Sequence, residues 1–117
     1  MTRLKVLILC TGNTCRSPMA AALLKKALLN ELGEKAAYIE VVSAGLRAFP
    51  GSPASPEARV VLREIGVDLS GHMSCQATRE LVRSADLVLT MTRYQKQHIL
   101  EVEPAVQGKV WSLGELA

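Results

Sequence analysis

A chain of 117 residues, nearly half of them apolar (49%) but only 3% aromatic, has material for one domain with an aliphatic core. That favours Val/Ile/Leu-rich strands covered by helices and argues against an aromatic-rich β sandwich. The net charge is only +3 and the basic residues are scattered, so the dense basic stripe of a nucleic-acid module is missing and no nucleic-acid partner is expected. No run reaches the ~18–20 apolar residues of a membrane span, and the first residues lack a signal peptide's cleavage region. Three cysteines, an odd number, then point to a reducing, cytoplasmic setting with reactive or buried thiols, away from membranes.

Lys5 to Leu9 is a short apolar run without alternation, as in a central parallel strand covered on both faces. Ser17-Pro18 reads as an N-cap followed by proline at the first helical position. The helix follows from Met19 to Leu32, rich in Ala and Leu, and stops at Gly33. A second strand is expected over Tyr38 to Val42, closing at Ser43-Ala44-Gly45. After a loop rich in Gly, Pro and Ser, Ser55-Pro56 opens a helix that ends near Gly66. Gly66 to Gln76 is mostly loop and carries Asp68, His72 and Cys75. A short helix (Thr78 to Ser84) and a third strand (Asp86 to Met91) come next. Thr92-x-x-Gln95 is a capping box whose helix ends before Pro104. Lys109 to Leu113 is the fourth strand, with Trp111 in the core. Strands alternating with helices imply an α/β fold, a doubly wound four-stranded parallel sheet with its ligand site outside the carboxyl ends of the strands.

The stretch Cys10-Thr11-Gly12-Asn13-Thr14-Cys15-Arg16-Ser17-Pro18 is thus strand, tight loop and helix start, the layout in which backbone N–H groups converge on an anion. The spacing Cys-x5-Arg sets a thiol at the head of the loop and a guanidinium at its foot. A helix N-terminus, the amides of residues 11–16 and Arg16 all favour a thiolate. Gly12 and Asn13 tolerate the left-handed backbone of a tight loop. Arg16 offers a planar fork matching two phosphoryl oxygens, which lysine cannot copy. The equipment suits in-line attack by Cys10 on a phosphoryl group, with a phosphocysteine then cleaved by water. Cys-x5-Arg alone is a weak signal; the strand before it, the glycine inside it and the Ser-Pro after it strengthen it. No cofactor is implied. Nor is a metal: Cys10 and Cys15 are five apart, and neither His72 nor His98 completes a familiar ligand pair.

Cys10 to Ala20 resembles the signature of the low-molecular-weight protein tyrosine phosphatases, and more narrowly their bacterial protein-arginine phosphatase branch. The likeness continues in Ser43-Ala44-Gly45, in Gly66-Val67-Asp68 through His72, and in Ala85 to Thr92, so it covers essentially the whole chain. It implies a flavodoxin-like, three-layer α/β fold acting on phosphorylated proteins, with phosphate or another oxyanion in the loop. By resemblance, Cys10 is the nucleophile, Arg16 the phosphate clamp, Ser17 a hydroxyl assisting the thiolate, and Asn13 the brace of a loop formed with Thr11, Gly12, Thr14 and Cys15. Cys15 is also the expected redox partner, able to form a reversible disulfide that shields the nucleophile. His72 is expected to brace the loop and Cys75 to be a small buried or half-exposed side chain. Tyrosine-directed members usually carry an aliphatic residue where Thr14 stands and an acidic one where Thr92 stands. The arginine-directed branch resembles this chain at both, so phosphoarginine is the expected substrate and phosphotyrosine the alternative.

The resemblance departs at the general acid. The family protonates the leaving group from an Asp-Pro motif after the last strand, whereas the only aspartates here are Asp68 and Asp86. Neither Glu103 nor Glu115 stands at the corresponding place. A general acid typically contributes ~10²–10⁴-fold, so weak turnover is expected of residues 1–117. They read as a single phosphatase domain, truncated at its C-terminus and lacking the last family helix. Two alternatives remain: an arsenate reductase, which needs a cysteine relay that Cys75 alone does not supply, and a phosphate-binding module without enzymatic activity.

Overall fold

A computed structural model describes residues 4–113. Strands β1 (Leu4–Cys10), β2 (Ile39–Gly45), β3 (Leu87–Thr90) and β4 (Val110–Ser112) form one parallel sheet in the order β2-β1-β3-β4. Between them run helices α1 (Arg16–Leu32), α2 (Pro56–Arg63), α3 (Arg79–Ser84) and α4 (Arg93–Val102). From β1 the chain steps outward to β2, then returns to β3 on the other side of β1. The resulting crevice between the carboxyl ends of β1 and β3 is where doubly wound sheets hold their ligands.

The continuous apolar run of β1 is explained by its two packed faces. Leu7 and Leu9 join Ala44, Val88, Val82 of α3 and Ile99 of α4 on one side. Ile8 packs on the other side with Val41, Leu89 and Ala21 of α1. Leu7, Ile8 and Leu9 are all essentially buried, and each burial stabilises the fold by about 1.5–3 kcal/mol. Helix α2 lies further out, where Ala58 and Leu62 meet Ala54, Leu69, Met19 and Ala22. These layers make the doubly wound parallel α/β sheet expected from the residue pattern, with the three layers that the resemblance implies.

Several boundaries differ from that pattern. Helix α1 begins at Arg16, its N-cap being Cys15 without a side-chain cap, so Ser17 is not the N-cap but a buried residue of the first turn. Its hydroxyl is engaged elsewhere, as shown below. Tyr38 belongs to a 3-10 turn over Gly33–Tyr38, and β2 starts one residue later and runs through to Gly45, because all seven of its residues pair with β1. Of Gly12 and Asn13, only Asn13 takes a positive φ, at 56°. Trp111 is not in the core: it alternates with buried Val110 and Ser112 along β4 and stays half-exposed, with the Lys96 ammonium 5.4 Å from its ring. The capping box forms as expected, Thr92 Oγ1 accepting from Gln95 N–H and the Gln95 side chain reaching back to Thr92 N–H.

Candidate functional site

Parallel pairing carries β1 to its end at Cys10, directly beside Gly45 of β2. Residues 11–15 then turn sharply into α1, and the turn closes because Asn13 accepts a left-handed φ at modest cost. The bend brings the Asn13 N–H to 3.2 Å from Cys10 Sγ and the Ser17 hydroxyl to 2.9 Å from the same sulfur. Asn13 Nδ2 donates to Ser17 Oγ at 2.8 Å and to Ser43 Oγ at 2.9 Å. With that lone pair of Ser17 Oγ occupied, its own proton is free to point at the sulfur. Two donors thus converge on a buried thiol at the N-terminal end of a helix.

Asn13 is fully buried and is the hub of the loop. Besides those two donations, its Oδ1 accepts from the Cys75 backbone N–H at 2.9 Å, and its carbonyl oxygen lies 2.7 Å from His72 Nε2. The surrounding backbone holds the loop from outside. Leu46 N–H donates to the Cys10 carbonyl, Arg47 N–H to that of Thr11, and Ser55 N–H to that of Thr14. Gly45 makes this approach possible. A Cβ there would stand 2.6 Å from the Thr11 carbonyl oxygen and 3.1 Å from the Asn13 nitrogen.

Beside the loop opens a cleft of about 510 Å³. Thr11 and Arg16 form its wall on the loop side, Leu46 and Arg47 a second wall, and Thr92, Tyr94, Gln95 and His98 of the α4 region the third. Gln95 is buried and ties two of these walls together, its Nε2 donating to Thr11 Oγ1 at 3.3 Å while its Oε1 accepts from the Met91 and Thr92 amides.

The fold therefore gathers Cys10, Asn13 and Ser17 around one sulfur and sets Thr11 and Arg16 on the cleft. Gly12 and Thr14 fill the loop between them, half-buried, whereas Cys15 is exposed; Cys75, expected to be buried or half-exposed, is exposed as well, its Sγ 3.2 Å from the Ser43 carbonyl at the surface, and all three cysteines are free thiols. The tether from Gln95 to Thr11 and the clearance at Gly45 are not visible in the residue pattern. Both join segments more than thirty positions apart, and only the Ser43-Ala44-Gly45 and Thr92-x-x-Gln95 motifs hinted that these positions mattered. Neither aspartate faces the sulfur. Asp86 accepts from Lys5 N–H at the opposite end of β1, and Asp68 is bound to Ser70, whose backbone and hydroxyl hold its carboxyl below the usual carboxylate range. Glu103 pairs with Arg83 at 3.2 Å, and Glu115 lies outside the described residues. Among the described residues no group of three or more His, Cys, Asp or Glu could hold a metal, and no helix is long and apolar enough to cross a membrane.

Comparison with known proteins gives one consistent pattern. The family model for "Low molecular weight phosphotyrosine protein phosphatase" matches residues 5–116. A relative from Ralstonia nicotianae, named "Probable low molecular weight protein-tyrosine-phosphatase EpsP", is 44% identical over 111 residues, covering 95% of this chain and 71% of its own. The solved YwlE arginine phosphatase from Geobacillus stearothermophilus superposes with a TM-score of 0.84 at 42% identity, over 97% of this chain and 68% of that one. A further similar structure, with a TM-score of 0.84, 41% identity and coverage of 97% and 71%, is a cysteine-to-serine mutant of a YwlE arginine phosphatase with a phosphorylated active-site serine.

Proposed function

The chain belongs to the low molecular weight phosphotyrosine protein phosphatase family, a family of phosphatase hydrolases, and from that premise we propose that it hydrolyses phosphoarginine in proteins through a phosphocysteine. The observation that carries the chemistry is the Cys10 sulfur held at 2.9 Å from Ser17 Oγ and 3.2 Å from the Asn13 amide. As a thiolate, Cys10 attacks the phosphorus in line with the leaving group. The P–N bond breaks, its electron pair stays on the guanidine nitrogen, which takes a proton from solvent, and the phosphoryl group remains on sulfur. Arg16 and the loop amides stay on the equatorial oxygens throughout. Water then attacks phosphorus, releasing inorganic phosphate and returning the thiolate, which the Ser17 hydroxyl receives with a hydrogen bond. The serine-trapped phosphoryl group of the similar YwlE mutant supports a covalent step at the loop's leading residue.

Substrate choice rests on Thr14 and Thr92. Threonine at position 14 is narrower and more polar than isoleucine, so it gives less apolar wall to a phenyl ring and offers a hydroxyl to a guanidinium. Thr92 lines the cleft with its hydroxyl committed to capping α4, so it brings no charge. Phosphotyrosine is the second reading, supported by Tyr94 and Leu46 on the cleft, which present apolar faces to a phenyl ring. The two separate in one experiment: turnover of a phosphoarginine protein, a phosphotyrosine peptide and an aryl phosphate by the wild type, Cys10→Ser and Thr14→Ile. Cys10→Ser should abolish turnover, and Thr14→Ile should move the substrate ratio toward phosphotyrosine. Residual turnover with Cys10→Ser removes the nucleophile, and an unchanged ratio with Thr14→Ile removes the arginine preference.

A further inference from the structure

The cleft holds a second guanidinium that the chemistry above does not use. Arg47 follows Gly45 and Leu46 out of β2, and its backbone is pinned to the catalytic loop because its N–H donates to the Thr11 carbonyl at 2.9 Å. The next residue is fixed as well, Ala48 N–H donating to Gln76 Oε1 at 2.8 Å. The Arg47 side chain lines the same cleft as Arg16 and is exposed. Among the described residues it has no hydrogen-bond or ion-pair partner, and no carboxylate lines the cleft with it. The loop amides and Arg16 serve the phosphoryl group, so Arg47, on a cleft lined by no carboxylate, is a second cationic point for an anion elsewhere on the substrate. A phosphoryl group held by Arg16 and the loop leaves Arg47 to meet whatever flanks the phosphorylated residue. Successive residues of an extended substrate advance about 3.3 Å each, so one or two positions along the peptide span the neighbourhood of the loop.

Resting on the phosphatase reading, we infer that Arg47 is a specificity-determining residue that selects phosphorylated protein segments carrying an aspartate or glutamate one or two positions from the phosphorylated residue. The pair it forms is solvent-exposed, so its effect is modest and falls with salt as the screening length shortens from about 8 Å at 0.15 M to about 3 Å at 1 M. An exposed ion pair of this kind corresponds to a preference of about 1.4- to fivefold in binding.

The test uses peptide pairs that differ only in having glutamate or glutamine beside the phosphorylated residue, one pair with phosphoarginine and one with phosphotyrosine. Binding to the Cys10→Ala protein, which has no nucleophile at that position, is measured by fluorescence anisotropy, so the selection is read even where turnover is low, and kcat/KM is measured with Cys10 intact. Expected are an about threefold preference for the glutamate peptide, its retention in Arg47→Lys, its loss in Arg47→Ala and a reversal in Arg47→Glu, with decay toward unity at 1 M salt. Each variant is compared with itself across a pair, so changes in fold or overall activity cancel. Equal binding of the two peptides by the Arg47 protein, or a preference unchanged in Arg47→Glu, overturns the inference. A preference seen only in the phosphotyrosine pair leaves Arg47 as the selector and overturns the arginine reading instead. Binding with the expected preference but no turnover of any substrate overturns the catalytic reading alone.

Discussion

Replacing Asn13 tests the central arrangement most directly. Asn13→Ala removes three side-chain hydrogen bonds, two donated to Ser17 and Ser43 and one accepted from the Cys75 amide. At about 1 kcal/mol net each they amount to about 3 kcal/mol. Alanine at a φ of 56° adds about 1 kcal/mol of backbone strain, for a total near 4 kcal/mol. Asn13→Asp keeps the acceptor for Cys75 and tolerates the same backbone, but it loses the two donations and buries a carboxylate without a cationic partner, so it should destabilise at least as much as alanine. With a urea slope of about 2 kcal/mol per molar, the midpoint should fall by about 2 M for alanine and by no less for aspartate. Activity should follow the same order. The aspartate variant places a carboxylate against Ser17, turns the serine proton away from the sulfur and sets a negative charge beside a negative nucleophile. It should therefore lose turnover of an aryl phosphate at least as severely as the alanine variant, about 10²-fold for a sulfur displaced by 1 Å. Urea titrations and steady-state kinetics on both proteins decide the matter. If both variants unfold within 1 kcal/mol of wild type and keep their turnover, Asn13 is not the hub described above.

Gly45→Ala would push its Cβ against the Thr11 carbonyl and Ala48, so turnover should fall by more than tenfold with a stability cost of about 1–3 kcal/mol; unaltered kinetics would show that the loop shifts freely. Thr92→Ala loses the cap of α4 and should cost about 1 kcal/mol, read as a melting point lower by about 4 °C. Asp68→Asn reports on the depressed carboxyl. Because the folded-state value lies below the unfolded one, the Ser70 contacts stabilise the fold above the ordinary aspartate range, near pH 4, and the benefit disappears as pH drops through the folded value. The lead of wild type over the variant in urea midpoint should be full at pH 7 and narrow as the pH is taken below 4; a gap of constant size across that range would assign the effect to packing.

Local chemistry made much of this molecule legible in its residues. The apolar run of β1, the glycine after α1, the Ser55-Pro56 and Thr92-x-x-Gln95 helix starts and the alternation of strands with helices each follow from preferences spanning a few positions, and together they define the doubly wound sheet. The loop between Cys10 and Arg16 is equally local, five residues carrying their own turn into the helix start. What lay beyond reach were contacts between segments distant along the chain. Ser17 looked like a cap because its spacing to Pro18 is that of a cap, but the fold turns its hydroxyl to Cys10 and starts the helix two residues earlier. Trp111 looked buried because large aromatics usually are, yet strand alternation at the sheet edge turned it outward. The tether of Gln95 to Thr11, the need for a bare backbone at Gly45 and the placing of Arg47 on the cleft all arise where β1, β2 and α4 converge. Sequence dictated which groups are present and how each short stretch bends. Tertiary packing alone decided which of them meet, because hydrogen bonds and clearances between remote segments depend on register and layer geometry that no local preference encodes.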